Sequence, residues 1–170
     1  MAHPGEVDLA RLLRALDPVL DDEAWVFCAL PGDQPPNVQL DAAVTVREPE
    51  GWTAVVPRAR ADAAGLAYHG VFRRVTLTVH SSLEAVGLLA AVARALAERG
   101  IACNAVSGFH HDHLFVPAAR ADEAAAVLAH LSTQAADGEV RTGSAVVDPV
   151  RHVEIPVADL DRAIDVHAPV

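Results

Sequence analysis

Val56-Pro57-Arg58-Ala59-Arg60-Ala61-Asp62-Ala63-Ala64 recurs as Val116-Pro117-Ala118-Ala119-Arg120-Ala121-Asp122-Glu123-Ala124, with seven of nine residues identical at an offset of 60. An Ala- and Arg-rich stretch gives some of that identity cheaply, so the flanks decide whether it marks a structural repeat. Upstream of each copy lies a pair of strand-like runs, 41–48 with 52–57 and 101–109 with 113–117. The first pair is separated by Pro49-Glu50-Gly51, the second by residues 110–112. β-Branched and aromatic residues bounded by Pro, Gly or Asp predict a hairpin in each half. Proline closes each second strand because it has no N–H to give a ladder, and its fixed φ suits the first turn of a following helix.

Further upstream, each half has an apolar strand, 24–30 and 72–79. In the latter, Val75, Leu77 and Val79 alternate with Arg74, Thr76, Thr78 and His80, as in a strand with one buried and one polar face. In the second half a helix over 83–99 should join strand to hairpin. Ser81 and Glu84 have capping-box spacing. Leu83, Val86, Ala90, Ala93 and Leu96 form an apolar stripe, and Gly100 is the expected stop. The matching gap in the first half holds Pro31, Gly32, Pro35 and Pro36, which forbid a helix. A sheet face left bare must be covered. The expectation is that a helix over 7–16, with Leu9, Leu12, Leu13 and Leu16 on one face, does this.

The second half thus reads β-α-β-β-α, with a last helix over 118–131 and a fourth strand over 139–147, the order of a split βαβ module. The expected fold class is α+β: tandem ferredoxin-like modules, their antiparallel sheets covered by helices on one face. Residues 1–69 form a degenerate first module and 70–147 the second, with the joint near 67–70. Residues 148–170 form a tail. Two such modules pack most simply sheet edge to edge or helix face to face.

Composition narrows the function. Hydrophobic residues make up 52% of the 170, enough for a core, so disorder is not expected. The net charge of −10 comes with 13 basic residues, all Arg, and Arg73-Arg74 is the only adjacent pair. Phosphate backbones need a concentrated basic patch, so nucleic acid is not expected as a partner. No stretch is long and apolar enough for a membrane span, and residues 1–6 lack the pattern of a signal peptide. Cys28 and Cys103 sit in apolar runs as small core residues of a reducing compartment, the cytoplasm.

Four histidines, His80, His110, His111 and His113, gather near Asp112. Strand alternation would put His110 and Asp112 on one face and His111 and His113 on the other, at a hairpin tip without Cys or Glu at ligand spacing. No metal or other cofactor is therefore expected, and these four residues, His110 to His113, are read as ligand or turn contacts. Ser81 and Ser82 precede a helix start, where free N–H groups and the helix dipole favour a small carboxylate. Gly87 in a first helical turn costs about 1 kcal/mol relative to Ala, and usually permits a close approach. Asn104 is a polar group in an apolar run. No Gly-x-Ser-x-Gly elbow or Gly-rich phosphate loop is present, and neither cysteine has an activating neighbour, so no catalysis is expected.

The run from Phe72 to Leu88, with Ser81-Ser82-Leu83-Glu84-Ala85-Val86-Gly87, and the run His111-Asp112-His113-Leu114-Phe115-Val116-Pro117 resemble the small bacterial ACT domain-containing proteins. Their tandem arrangement is similar to that of the CASTOR-type arginine sensors. The resemblance covers roughly residues 7–131. It implies the βαββαβ fold and a regulatory protein that binds an amino acid or similar effector at a domain interface. It carries over Ser81, Ser82, Glu84, Val86 and Gly87 in the strand–helix loop, and Asn104 and Ala105 in the following strand. The expected partners are that effector and a second copy of the chain in a homodimer. Residues 150–164 resemble the opening of a glyoxalase-like, vicinal-oxygen-chelate domain, in which the position of His152 is often a metal ligand. That resemblance leaves a metal-dependent enzyme fragment as the alternative, beside a purely structural dimerisation module.

Overall fold

The computed structural model describes residues 5–32 and 36–138. The expected fourth strand over 139–147 and the tail with His152 lie outside these residues. One antiparallel sheet is built from β1 (Pro18–Leu30), β2 (Val44–Glu48), β3 (Gly51–Pro57), β4 (Phe72–Leu77), β5 (Asn104–Ser107) and β6 (Asp112–Pro117), in the order β2-β3-β1-β4-β6-β5. Among the described residues, four α-helices accompany it: α1 (Leu9–Arg14), α2 (Arg58–Ala63), α3 (Leu88–Ala97) and α4 (Ala121–Ala136). Among the described residues, no helix is long and apolar enough to cross a membrane.

The strand order is its own mirror once β1 is matched with β4, β3 with β6 and β2 with β5. The register obeys the same rule. Val44 faces Val55 and Asn104 faces Phe115, so the offset of 60 runs through both hairpins. Trp25 faces Pro57 and Phe72 faces Pro117, an offset of 47 between the first strands. The two prolines share a backbone conformation, φ −54° and ψ 132° against φ −51° and ψ 130°. Trp25 and Phe72 are also paired with each other across β1 and β4. Equivalent residues facing each other place an approximate twofold axis between them. The modules therefore join edge to edge. The edge of β4 that a ferredoxin-like fourth strand would use is taken by β1, and the reverse holds for β1.

β1 starts six residues before the expected strand because its first part is acidic. The β1–β4 register slips between Leu20 and Ala24, and Asp21, Asp22 and Glu23 fill the bulge. Arg73 and Arg74 of β4 answer them. Arg74 pairs with Asp21 at 2.7 Å and lies over the Trp25 ring, while Arg73 reaches Asp22 at 3.0 Å. Burial pushes the Asp21 carboxyl up, but the Glu23 amide, Arg74 and Trp25 together outweigh it and hold it below its ordinary value. Charges opposite in a ladder thus extend a strand that hydropathy alone would end at Ala24.

On the helical face, Val26, Cys28, Ala54 and Val56 pack with Ala61 of α2, and the segments around Leu40, Leu66 and Tyr68 complete their cover. Val75, Leu77, Leu114 and Val116 pack with α3 and α4. The expectation for the N-terminal helix is corrected here: Leu12, Leu13 and Leu16 belong to this second cluster, and do not cover the first half's sheet. Ser132 of α4 donates to the Arg14 carbonyl at 3.2 Å. The physical reason is that coil side chains already close the first half's face, whereas α3 and α4 leave a gap that three leucines fill. The opposite face carries Trp25, Phe27, Phe72 and Phe115 in edge-to-face contacts with centroids 5.2–6.0 Å apart.

Candidate functional site

The connection from β4 to α3 differs from the predicted helix over 83–99. Residues 81–87 form a loop, and α3 begins at Leu88. Gly87 is the N-cap, with φ 101°, and no side chain caps the helix. The Ser81–Glu84 capping box does not form, because the Ser81 hydroxyl donates to Asp112 Oδ2 at 3.1 Å. Ser82 Oγ accepts from the Glu84 amide at 3.2 Å, a local turn. The φ of Gly87 favours glycine, and a Cβ there would stand 2.9 Å from Leu9 Cδ2 of α1, a side-chain end that would have to shift. Ala91 donates to the Gly87 carbonyl. The N–H groups of Leu88, Leu89 and Ala90 have no acceptor among the described residues, as expected of an uncapped first turn.

These amides open into a cavity of about 160 Å³. One wall is the loop, with Ser81, Ser82, Leu83 and Ala85; the helix start forms another, and Ser107 of β5 and Asp112 of β6 close the far side. The N-terminal segment braces the loop, with the Glu6 amide donating to the His80 carbonyl at 3.0 Å and the Ser82 amide to the Glu6 carbonyl at 2.9 Å. Asp112 is 4% exposed, the only buried charged residue among those described. It accepts from Ser81 and from Ser107 Oγ at 2.5 Å. Ser107 and Asp112 face each other in the β5–β6 register, on the helical side of the sheet.

Of the sequence-derived candidates, Ser81, Ser82, Gly87 and Asp112 come together here. Glu84 and Val86 project away, Val86 being 82% exposed. Asn104 faces Phe115 on the opposite side of the sheet, and its amide is 3.5 Å from the Phe115 carbonyl. It stands three residues from Ser107, roughly 10 Å along the strand. Ala105 is exposed and pairs with Leu114, one pleat from the cavity on its own side. His110 is exposed and meets His80 and Phe109 edge to face, with centroids 5.2 and 5.0 Å away. His113 lies on the far face with its Nδ1 3.0 Å from Thr76 Oγ1; burial, then Arg74 and His111, lower its pKa despite Asp112. No group of three or more His, Cys, Asp or Glu among the described residues converges as a metal site would.

Sequence reasoning passed over Ser107, placed the helix-start amides five residues too early, and weighed Asp112 only with its histidine neighbours. The available signal was parity. An acid that enters an apolar strand on the same face as Leu114 and Val116 must be buried, and its cross-strand partner is Ser107.

A tandem ACT arrangement is what these features define. ACT-domain profiles match residues 4–73 and 73–130. A Vibrio cholerae protein of unknown function, described as a possible transport protein, is 42% identical, with a TM-score of 0.67 over 73% of this chain and 95% of that one. An Agrobacterium tumefaciens protein shares the fold at 17% identity and a TM-score of 0.59, covering 69% of this chain and 89% of its own. The regulatory subunit of Thermus thermophilus aspartate kinase does so at 13% identity and 0.51, covering 67% and 95%. Among proteins of curated function, none is similar enough to match. The chain belongs to the ACT-domain family, and its two ACT domains are modules of the regulatory, small-molecule-binding kind.

Proposed function

We propose that the protein is a non-enzymatic regulator whose effector is an amino acid, bound in the cavity between residues 81–87, the start of α3 and the β5–β6 hairpin. The observation that carries this is the uncapped α3 N-terminus opening into a cavity of about 160 Å³. Three free amides and the positive end of the helix dipole suit the carboxylate of a small molecule. A cavity of about 150 Å³ is already enough for a benzene-sized guest. Cys28 and Cys103 are unbridged, and burial raises both thiols, which fits a cytoplasmic protein rather than a cysteine enzyme.

A thermal-shift screen against the twenty amino acids tests this. An effector at 100 times its dissociation constant adds about 2.7 kcal/mol of stability. Ala90→Asp then separates binding from folding. A carboxylate in the first helical turn favours the helix by about 0.3–1 kcal/mol, while occupying the place of the effector's own carboxylate. The expected result is a protein at least as stable as the parent that no longer responds to the effector. An unchanged response moves the site elsewhere.

A further inference from the structure

We infer that residues 5–9 are a releasable strap, docked on both ends of the β4–α3 loop, and that the loop keeps its shape only while the strap is docked. At the first end the contact is backbone on backbone. Glu6 forms a parallel bridge with Ser81, its amide donating to the His80 carbonyl and its carbonyl accepting from the Ser82 amide. Gly5 lies closer still. A Cβ there would stand 2.6 Å from the Ser82 nitrogen and 2.7 Å from the Ser81 carbonyl carbon, and these backbone atoms cannot swing aside as a side-chain end can. Its φ of 83° is a second reason for glycine. At the other end Leu9, which packs against the core cluster of α3 and α4, reaches Gly87, the N-cap of α3.

Strap and loop are both shallow. No residue of 5–9 or 81–87 is buried, whereas Leu12 and Leu13, one turn further on, are fully so. Segments held by a few hydrogen bonds and little apolar burial open locally, well below the free energy of global unfolding. Glu6 makes the strap one unit. Its carboxylate accepts from the Val7 and Asp8 amides, both at 2.9 Å, and reaches Arg11 at 3.5 Å. Asp8 then caps α1 by accepting from the Arg11 amide at 2.8 Å. Release therefore stops at α1, whose leucines stay in the core. Within the loop, the Ala85 amide donates to the carbonyl of Ser82, the residue that the strap holds. The Ala85 amide thus reports the shape of the loop, and the Glu6 and Ser82 amides report the docking. The strap acts with or without an effector, so this device and the proposed function fail independently.

Amide hydrogen exchange of the ligand-free, full-length chain, followed by NMR, decides this. In the unsubstituted protein the Glu6, Ser82 and Ala85 amides should exchange through one shared opening, about tenfold or more faster than the amides of β4, which is paired on both sides. Gly5→Ala should speed all three by about tenfold or more and leave β4 unchanged. Gly32→Ala is the control: its φ is also left-handed, but a Cβ there meets nothing within 4 Å among the described residues, and the three amides should not respond. Glu6→Ala should release the strap too, and Glu6→Gln, whose side-chain oxygen can still accept from Val7 and Asp8, should keep it docked. If the three amides exchange no faster than β4, the segment is a fixed part of the fold and the strap is overturned. An unchanged Ala85 amide in Gly5→Ala, with Glu6 and Ser82 faster, overturns its hold on the shape of the loop. Failure of Gly5→Ala to fold overturns release without unfolding.

Discussion

Ser107 and Asp112 face each other at the tip of the β5–β6 hairpin; at the matching positions of β2–β3 stand Arg47 and Trp52. A cavity of about 150 Å³ lies at that end of the first half as well, but Leu30, Pro31, Glu48 and Trp52 line it and no helix begins there. The strands, their register and the Val-Pro corner are common to both halves. The two offsets, 60 in the hairpins and 47 in the first strands, differ by 13 residues, and that extra length is the connection holding α3. Hairpins and corners carry the fold, and the connection carries the polar cleft. One copy could lose its connecting helix without losing its sheet.

The strongest test of this comparison lies in the core. Phe115 and Val55 are equivalent and buried on the same face. Phe115→Ala should cost about 3–5 kcal/mol. Val55→Ala removes two methyl-sized groups and should cost about half that. Urea denaturation measures both, and equal losses would mean that Phe115 contributes no more than Val55 to the cluster they share. Leu12→Ala comes next, at about 2–5 kcal/mol. Although Leu12 precedes β1, its packing predicts that hydrogen-exchange protection falls in α3 and α4, with β2 and β3 spared. Protection lost from β2 and β3 instead would return α1 to the first half.

Gly32 and Gly87 sharpen the contrast between the connections. Their φ values are 102° and 101°, but a Cβ at Gly32 meets nothing within 4 Å among the described residues, whereas one at Gly87 meets the end of the Leu9 side chain. Each Ala substitution carries about 1–2 kcal/mol of left-handed strain. Gly87→Ala should exceed Gly32→Ala in melting-temperature loss, and Leu9→Ala should reduce the excess.

The smallest effects are electrostatic. Asp21 and Arg74 pair across β1 and β4, yet the position matching Arg74 in β1 is Phe27, so this ion pair breaks the twofold. Because Asp21 is held below its ordinary value of 3.8, its contribution is present above that pH and is lost as pH falls through the lowered value. Asp21→Asn should flatten the stability curve on the acid side. His113, lowered from 6.5, favours the folded state fully above that pH; below it the unfolded chain takes up the proton first and stability declines. His113→Gln should remove that decline, measured by urea titration between about pH 7.5 and 5. An unaltered profile in either variant would assign the pH dependence to other groups.

The repeat made the hairpins, the Val-Pro corners and the first strands legible, because period-2 alternation and proline chemistry are local. Three features were not. Ser81 and Glu84 satisfy a helix-start pattern, but Gly87 adopts a left-handed conformation and Asp112, distant in sequence, takes the Ser81 hydroxyl. The acidic bulge of β1 is a strand only because Arg73 and Arg74 lie opposite. The destination of α1 depended on which half had a gap to fill, and that is decided by tertiary packing. At the site, Ser81, Ser82 and Gly87 were reached through the idea of a helix end. Asn104 was misplaced because a strand residue belongs to one face only, and its parity puts it with Phe115.

Trp25 and Phe72 facing each other have a consequence for how such a chain holds together. In an assembly of two separate copies, the residue beside the axis would meet its own counterpart, and the contact would weaken on dilution. Here the two edges are tethered in one polypeptide, so their meeting is intramolecular and independent of protein concentration. Tethering also removes the demand that both edges be identical. One side of the seam is free to become acidic and the other basic, as Asp21 and Arg74 have, in a way that no symmetric pair of copies could adopt.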